Sequence, residues 1–112
     1  MEDIISHARE LGKKIAAHPR CSNFMNATRE VAADTEAQRI LGEYQEQVTS
    51  IRRLEVEQKP IEVEDKHKLA DCEAAVAGNE LLKNMMKHQA DYVEMMTRIN
   101  NAIDEAVQQA ES

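Results

Sequence analysis

The segment from Asn79 to Ala110 contains no Pro and no Gly, and its apolar residues recur at helical spacing throughout. Leu82, Met85, Tyr92, Met96, Ile99, Ile103 and Ala106 fall on alternating steps of three and four, with Gln89 as the one polar member. At about 1.5 Å per residue this helix would be roughly 45 Å long, whereas a compact domain of about 100 residues has a radius of gyration of only ~13 Å. One stripe therefore outruns its own chain. Its far end requires a cover, and the expectation is a second chain.

Composition points the same way. The chain has 112 residues, enough for one domain and too few for two, so residues 1–112 are expected to form a single helical domain. It carries 15 Ala but only 22 Leu, Ile, Val and Phe together. That is about a fifth of the residues, close to the level at which burial struggles to offset conformational entropy. Three Gly and two Pro are too few for the many tight turns of an all-β fold. The expected class is all-α, with about five helices, a long C-terminal helix and a helical hairpin or bundle completed by dimerisation.

The breaks divide the chain into those helices. The first is expected from about Glu2 to Ala17, with Ile4, Ala8, Leu11 and Ile15 on one face and a ladder of small residues, Ala8, Gly12 and Ala16, beside it. His18-Pro19 ends it, because the residue before Pro is steered out of the α region. A second helix follows to about Val31, turning Phe24, Ala27 and Val31 inward. The third opens at Asp34-Thr35, where Asp34 or Thr35 can cap and Thr35 with Gln38 fits a capping box, and carries Ala37, Leu41, Tyr44, Val48, Ile51 and Leu54 to about Gln58. Lys59-Pro60 breaks it. Glu62, Glu64 and Asp65 suit the start of a fourth helix, which places Leu69, Cys72 and Val76 on one face in a hairpin with the third. Gly78 reads as its C-cap and Asn79 as the N-cap of the last helix.

Net charge is −7, with acids spread along the chain. Such a field repels phosphate backbones and anionic membrane surfaces, and the basic pairs Lys13/Lys14, Arg52/Arg53 and Lys83/Lys87 are not interleaved with aromatics. Neither nucleic acid nor membrane is an expected partner. Met1-Glu2-Asp3-Ile4-Ile5 opens with acids and leads into no continuous apolar run, so a cytoplasmic location is expected.

Catalytic signatures are absent from the sequence: it has no glycine-rich phosphate loop, no HExxH, no CxxC and no nucleophile elbow. The chain reads as a non-enzyme, with no catalytic residues, no metal ligands and no cofactor assigned. Glu64-x-x-His67 is one copy of an element that a di-iron bundle needs twice. Cys21 and Cys72 read as free thiols, Cys72 as a core residue. The surface residues that remain are methionines. Met85/Met86 and Met95/Met96 point about 100° apart within each pair, so one stripe cannot bury all four. The candidate partner or dimer interface is Met85, Met86, Tyr92, Met95, Met96, Ile99 and Ile103, with Met86 and Met95 as the members left over for a partner.

The series Ala8-x-x-Leu11-Gly12-x-x-Ile15-Ala16, then Phe24, Ala27, Val31, Asp34, Ala37, Leu41 and Tyr44-Gln45, continues through Lys59-Pro60-Ile61 to Asn79 and Ile99-Asn100-x-x-Ile103. In this order it resembles the YlbF/YmcA family of small bacterial helical proteins over nearly the whole chain. The resemblance implies a non-enzymatic cytoplasmic regulator that is self-associating or paired with related subunits. It further implies an adaptor that assembles with other regulatory proteins and with ribonuclease Y, affecting messenger RNA processing, competence, sporulation and biofilm formation. Some members resemble subunits of a complex carrying iron–sulfur clusters. Here Cys21 and Cys72 are isolated, where about four thiolate-type ligands are normal. The alternative is a metal or iron–sulfur module using Cys21, Cys72 or His67 across a dimer.

Overall fold

The computed structural model describes residues 1–111, and these form five helices: α1 (Glu2–Ala17), α2 (Pro19–Ala33), α3 (Thr35–Val56), α4 (Val63–Gly78) and α5 (Glu80–Glu111). The all-α expectation holds. The breaks fall where sequence chemistry puts them. His18 leaves the helical region at ψ 139°, and Pro19 then starts α2, where its missing N–H is one the helix could not have used.

Helix starts depend on single side chains. The Asp34 carboxylate accepts from the Ala37 backbone N–H at 2.8 Å, and the Asn79 amide oxygen accepts from Leu82 N–H at 3.0 Å. Thr35 is the first helical residue instead of the cap, and the Gln38 side chain turns away to the Ala32 carbonyl, so the expected Thr35/Gln38 box does not form. At α4 the Asp65 carboxylate accepts from Glu62 N–H at 3.1 Å. Replacing Asp34 or Asn79 with alanine should each cost about 1 kcal/mol in urea denaturation, and Thr35→Ala close to nothing. An equal cost at Thr35 would show that the cap is assigned to the wrong residue.

Helix ends differ from expectation. Gly78 is the last residue of α4 with no positive φ, and the chain turns instead at extended Asn79. The left-handed residue is Gln58, at φ 59°, after α3. Lys59 N–H donates to Leu54 O at 2.8 Å and Gln58 N–H to Glu55 O at 3.1 Å, the pair of bonds that closes a helix around a left-handed residue. Pro60 then prevents resumption of the helix.

The chain divides into two compact units, Thr28–Met85 and Met1–Ala27 with the segment from Met86 onward, so α2 and α5 each contribute to both. Within Thr28–Met85, α3 packs against α4 as an antiparallel hairpin: Ile40 and Val76 share a cluster near one end, and the Gln47 amide donates to the Asp65 carbonyl at 3.0 Å toward the other. Val31, Ala37, Ile40, Val76 and Leu82 form the buried core, with Leu41, Tyr44, Leu81 and Met85 packed on it. Within the other unit the buried residues are Cys21 and Ala27. Cys21 is thus the buried thiol and Cys72 only half-buried, the reverse of the sequence expectation. Cys72 lies on the covered face of α4 with Leu69 and Val76, where it lines a hollow together with Glu43 and Gln47 of α3, and Val76 is the member of that face that is buried.

Candidate interaction surface

The unit of Met1–Ala27 and the segment from Met86 is held by polar and aromatic contacts between α2 and α5. The Arg20 guanidinium donates to the Asp91 carbonyl at 3.1 Å and pairs with the Glu94 carboxylate. One turn along α2, Phe24 stacks on Tyr92 with ring centroids 5.5 Å apart. Beside them opens a groove of about 390 Å³ lined by His18, Arg20, Met95, Arg98, Ile99 and Ala102. The lining combines apolar Met95, Ile99 and Ala102 with Arg20 and Arg98, both paired with Glu94.

The candidate residues from sequence divide between the two units. Met85 packs on the core of Thr28–Met85 and is not a surface residue. Tyr92, Met95, Met96 and Ile99 are half-buried, and Met86 is exposed at 38%. Ile103 is 47% exposed, and Val107, one turn further on the same face, 56%. The half-covered side of α5 runs through His88 and not Gln89, so the polar interruption of the stripe is a histidine. The same unit exposes apolar residues that the sequence reading did not place in a site: Val93 at 53%, Val107, and Ile4 and Ile5 of α1 at 65% and 37%. The signal for Val107 was its four-residue spacing from Ile103, which the reading of one narrow stripe ended too early.

Among the described residues no group of three His, Cys, Asp or Glu side chains is placed to hold a metal ion, and Glu64 and His67 are both exposed on α4. The Cys21 sulfur lies 3.9 Å from Met25 Sδ. On α3, Arg39 bridges Glu36 and Glu43, with Nε to Glu36 at 3.1 Å and Nη1 to Glu43 at 2.9 Å. The hydrogen bond from Arg39 holds the Glu36 carboxyl below its ordinary 4.5 and raises the guanidinium in turn. Because the Glu36 value is depressed on folding, any stability it contributes is present at neutral pH and is lost as pH falls through that lowered value. The triad is exposed, so salt screens it and it makes no site.

Comparison with known proteins decides the lineage. A family described as "Control of competence regulator ComK, YlbF/YmcA" matches residues 4–108. The chain belongs to the YlbF/YmcA family. Among solved structures it is similar to Bacillus subtilis RicA, determined by X-ray crystallography in complex with RicF, with a TM-score of 0.77. The alignment covers 98% of this chain and 97% of RicA at 16% identity, a likeness of fold. No curated protein matches the sequence. As a YlbF/YmcA member the chain belongs to a regulatory family, and none of its helices is long and apolar enough to cross a membrane.

Proposed function

We propose that this YlbF/YmcA protein is a non-enzymatic cytoplasmic regulator that works as an adaptor, by associating with protein partners through the apolar face at the end of α5. The observation that carries this reading is the run Met95, Ile99, Ile103 and Val107, which passes from half-buried to about half-exposed toward the end of α5. Soluble chains seldom leave such a run uncovered unless it meets a partner. Met96 flanks the surface, and thioether side chains repack readily against different partners. Supporting the same reading, the similar RicA was solved as one subunit of a complex. The finer assignment we propose from the family resemblance is association with related subunits or with a second copy, and modulation of ribonuclease-dependent messenger RNA processing in competence, sporulation and biofilm development.

The test is an Ile103→Asp, Val107→Asp double variant, chosen because both residues are already about half exposed and their change leaves the Leu82 core intact. It should keep wild-type helicity by circular dichroism and lose at least about tenfold in capture of its cellular partner, since hot-spot truncations of this kind cost 2 kcal/mol or more. His67→Ala and Glu64→Ala should capture as wild type. Full capture by the double variant would move the partner surface away from α5.

A further inference from the structure

One stripe of α3 carries no acid. Gln38, Gly42, Gln45, Thr49, Arg52 and Val56 recur at alternating steps of four and three, with Arg53 beside Arg52, so they run along one side of the helix for about 27 Å. All are exposed except Gly42, which is half-buried. Three hollows follow one another along this stripe, and each shares residues with the next: Gly42 and Gln45 line the first and second, Thr49 and Arg53 the second and third. They form one continuous trough, all of it within the unit Thr28–Met85.

The two ends of the trough differ in chemistry. The first hollow, about 330 Å³, is lined by Val31 and by Leu41 and Met85, which pack on the core, together with Gln38, Gly42 and Gln45. A Cβ added at Gly42 would meet nothing within 4 Å, and its φ is not positive, so its own fold does not require a residue that weakens a helix interior. The missing side chain leaves the backbone of α3 open to close approach by another helix. At the other end stand Arg52 and Arg53, beside Val56, which is 77% exposed. Neither arginine has an ion pair among the described residues, although the chain carries 21 acids and a net charge of −7. The nearby acids are engaged or distant: Arg39 holds Glu36 and Glu43, Lys59 holds Glu57 at 3.0 Å, and Glu46, which borders the middle hollow, is seven residues from Arg53, about 10 Å along the axis. The helix dipole accounts for a cation in the last turn of α3, but not for an apolar hollow three turns before it.

We propose that this trough is a docking groove for an acidic amphipathic helix of a different protein. A large apolar side chain of that helix enters the hollow at Leu41 and Met85, its backbone crosses close to Gly42, and carboxylates about eleven residues further along, roughly 16 Å, pair with Arg52 and Arg53. The rest of a chain with net charge −7 repels an acidic segment, so the arginine pair fixes where it can bind and in which direction. The groove belongs to a different unit from Met95–Val107, and its assignment does not rest on what α5 binds.

Differential selection of peptides tests it. A display library of random peptides of about 20 residues, long enough as helices to span the trough, is selected on the full-length protein and counter-selected on a Gly42→Leu, Arg52→Glu, Arg53→Glu variant. The variant fills open space and changes two exposed side chains, so its helicity and thermal midpoint should match wild type. Peptides that survive should pair a large apolar residue with two or more acids about eleven positions away. Labelled and measured by fluorescence polarisation, they should bind wild type about tenfold more tightly than the variant and weaken about tenfold between roughly 50 and 500 mM salt. If no peptide distinguishes the two proteins, or the survivors are basic or uncharged, or their binding ignores salt, the proposal is overturned. Gly42→Leu alone and Arg53→Glu alone should each weaken the same peptides, which keeps the test decisive should the triple variant fail to fold. Loss of self-association in a folded variant would make the trough a contact between copies and would also overturn it. The Ile103→Asp, Val107→Asp protein should bind the peptides as wild type does, so failure of the α5 surface and failure of this groove are read separately.

Discussion

Leu82→Ala should cost about 3 kcal/mol and lower the thermal midpoint by roughly 15 °C, because large-to-small changes at sealed positions lose both transfer energy and a filled volume. Leu82 is fully buried and joins Val31, Ala37, Ile40 and Val76 in the one core cluster. Its backbone N–H is also the donor held by Asn79 at 3.0 Å, so the residue links the start of α5 to the hairpin. There is little room for compensation in a core of so few large side chains. Met86, four residues on and 38% exposed, is the control, and Met86→Ala should fall within about 1 kcal/mol of wild type. Circular dichroism melts of the two variants decide the matter, and equal losses would contradict this description of the core.

Phe24→Ala is expected to have the second largest effect, about 2 kcal/mol, and to act on the other unit. Phe24 is half-buried and stacks on Tyr92 at 5.5 Å, so truncation removes apolar area together with the aromatic pairing, itself about 0.5–1.5 kcal/mol. Its neighbour pair, Arg20 with Glu94, is more exposed and should contribute less. Native-state hydrogen exchange of α5 gives the readout: amides from about Tyr92 onward should lose protection in Phe24→Ala, while those of the α3–α4 hairpin keep theirs. Uniform loss across both would show that the two units open as one.

These contrasts mark what the sequence could convey. Helix number and breaks were legible because they depend on local chemistry: His18-Pro19, Asp34, Lys59-Pro60 and Asn79 each act within a few residues of themselves. Burial was less legible because it depends on distant elements. Leu69, Cys72 and Val76 share the covered face of α4 as their spacing indicates, but only Val76 among them is buried, and Cys21 is covered although its own neighbours Arg20 and Ser22 are polar. In α5 a strict seven-residue repeat placed Gln89 inward. A straight helix of 3.6 residues per turn drifts by about 20° per heptad and brings His88 there instead. The Thr35/Gln38 box failed because Asp34 offered a stronger acceptor one residue earlier. Periodicity identified the apolar face of α1 as well as that of α5. It could not say how far either face would be covered, since a sequence pattern states what a face requires and not which element supplies it.

The central claim is that this chain acts by association, through helix faces that it does not cover itself. Size-exclusion chromatography with in-line light scattering, run on the full chain over a range of micromolar concentrations, tests it most directly. The account predicts a mass of two chains or more, rising with concentration. A strictly monomeric species throughout that range, unfolding in a single full cooperative transition, would contradict it.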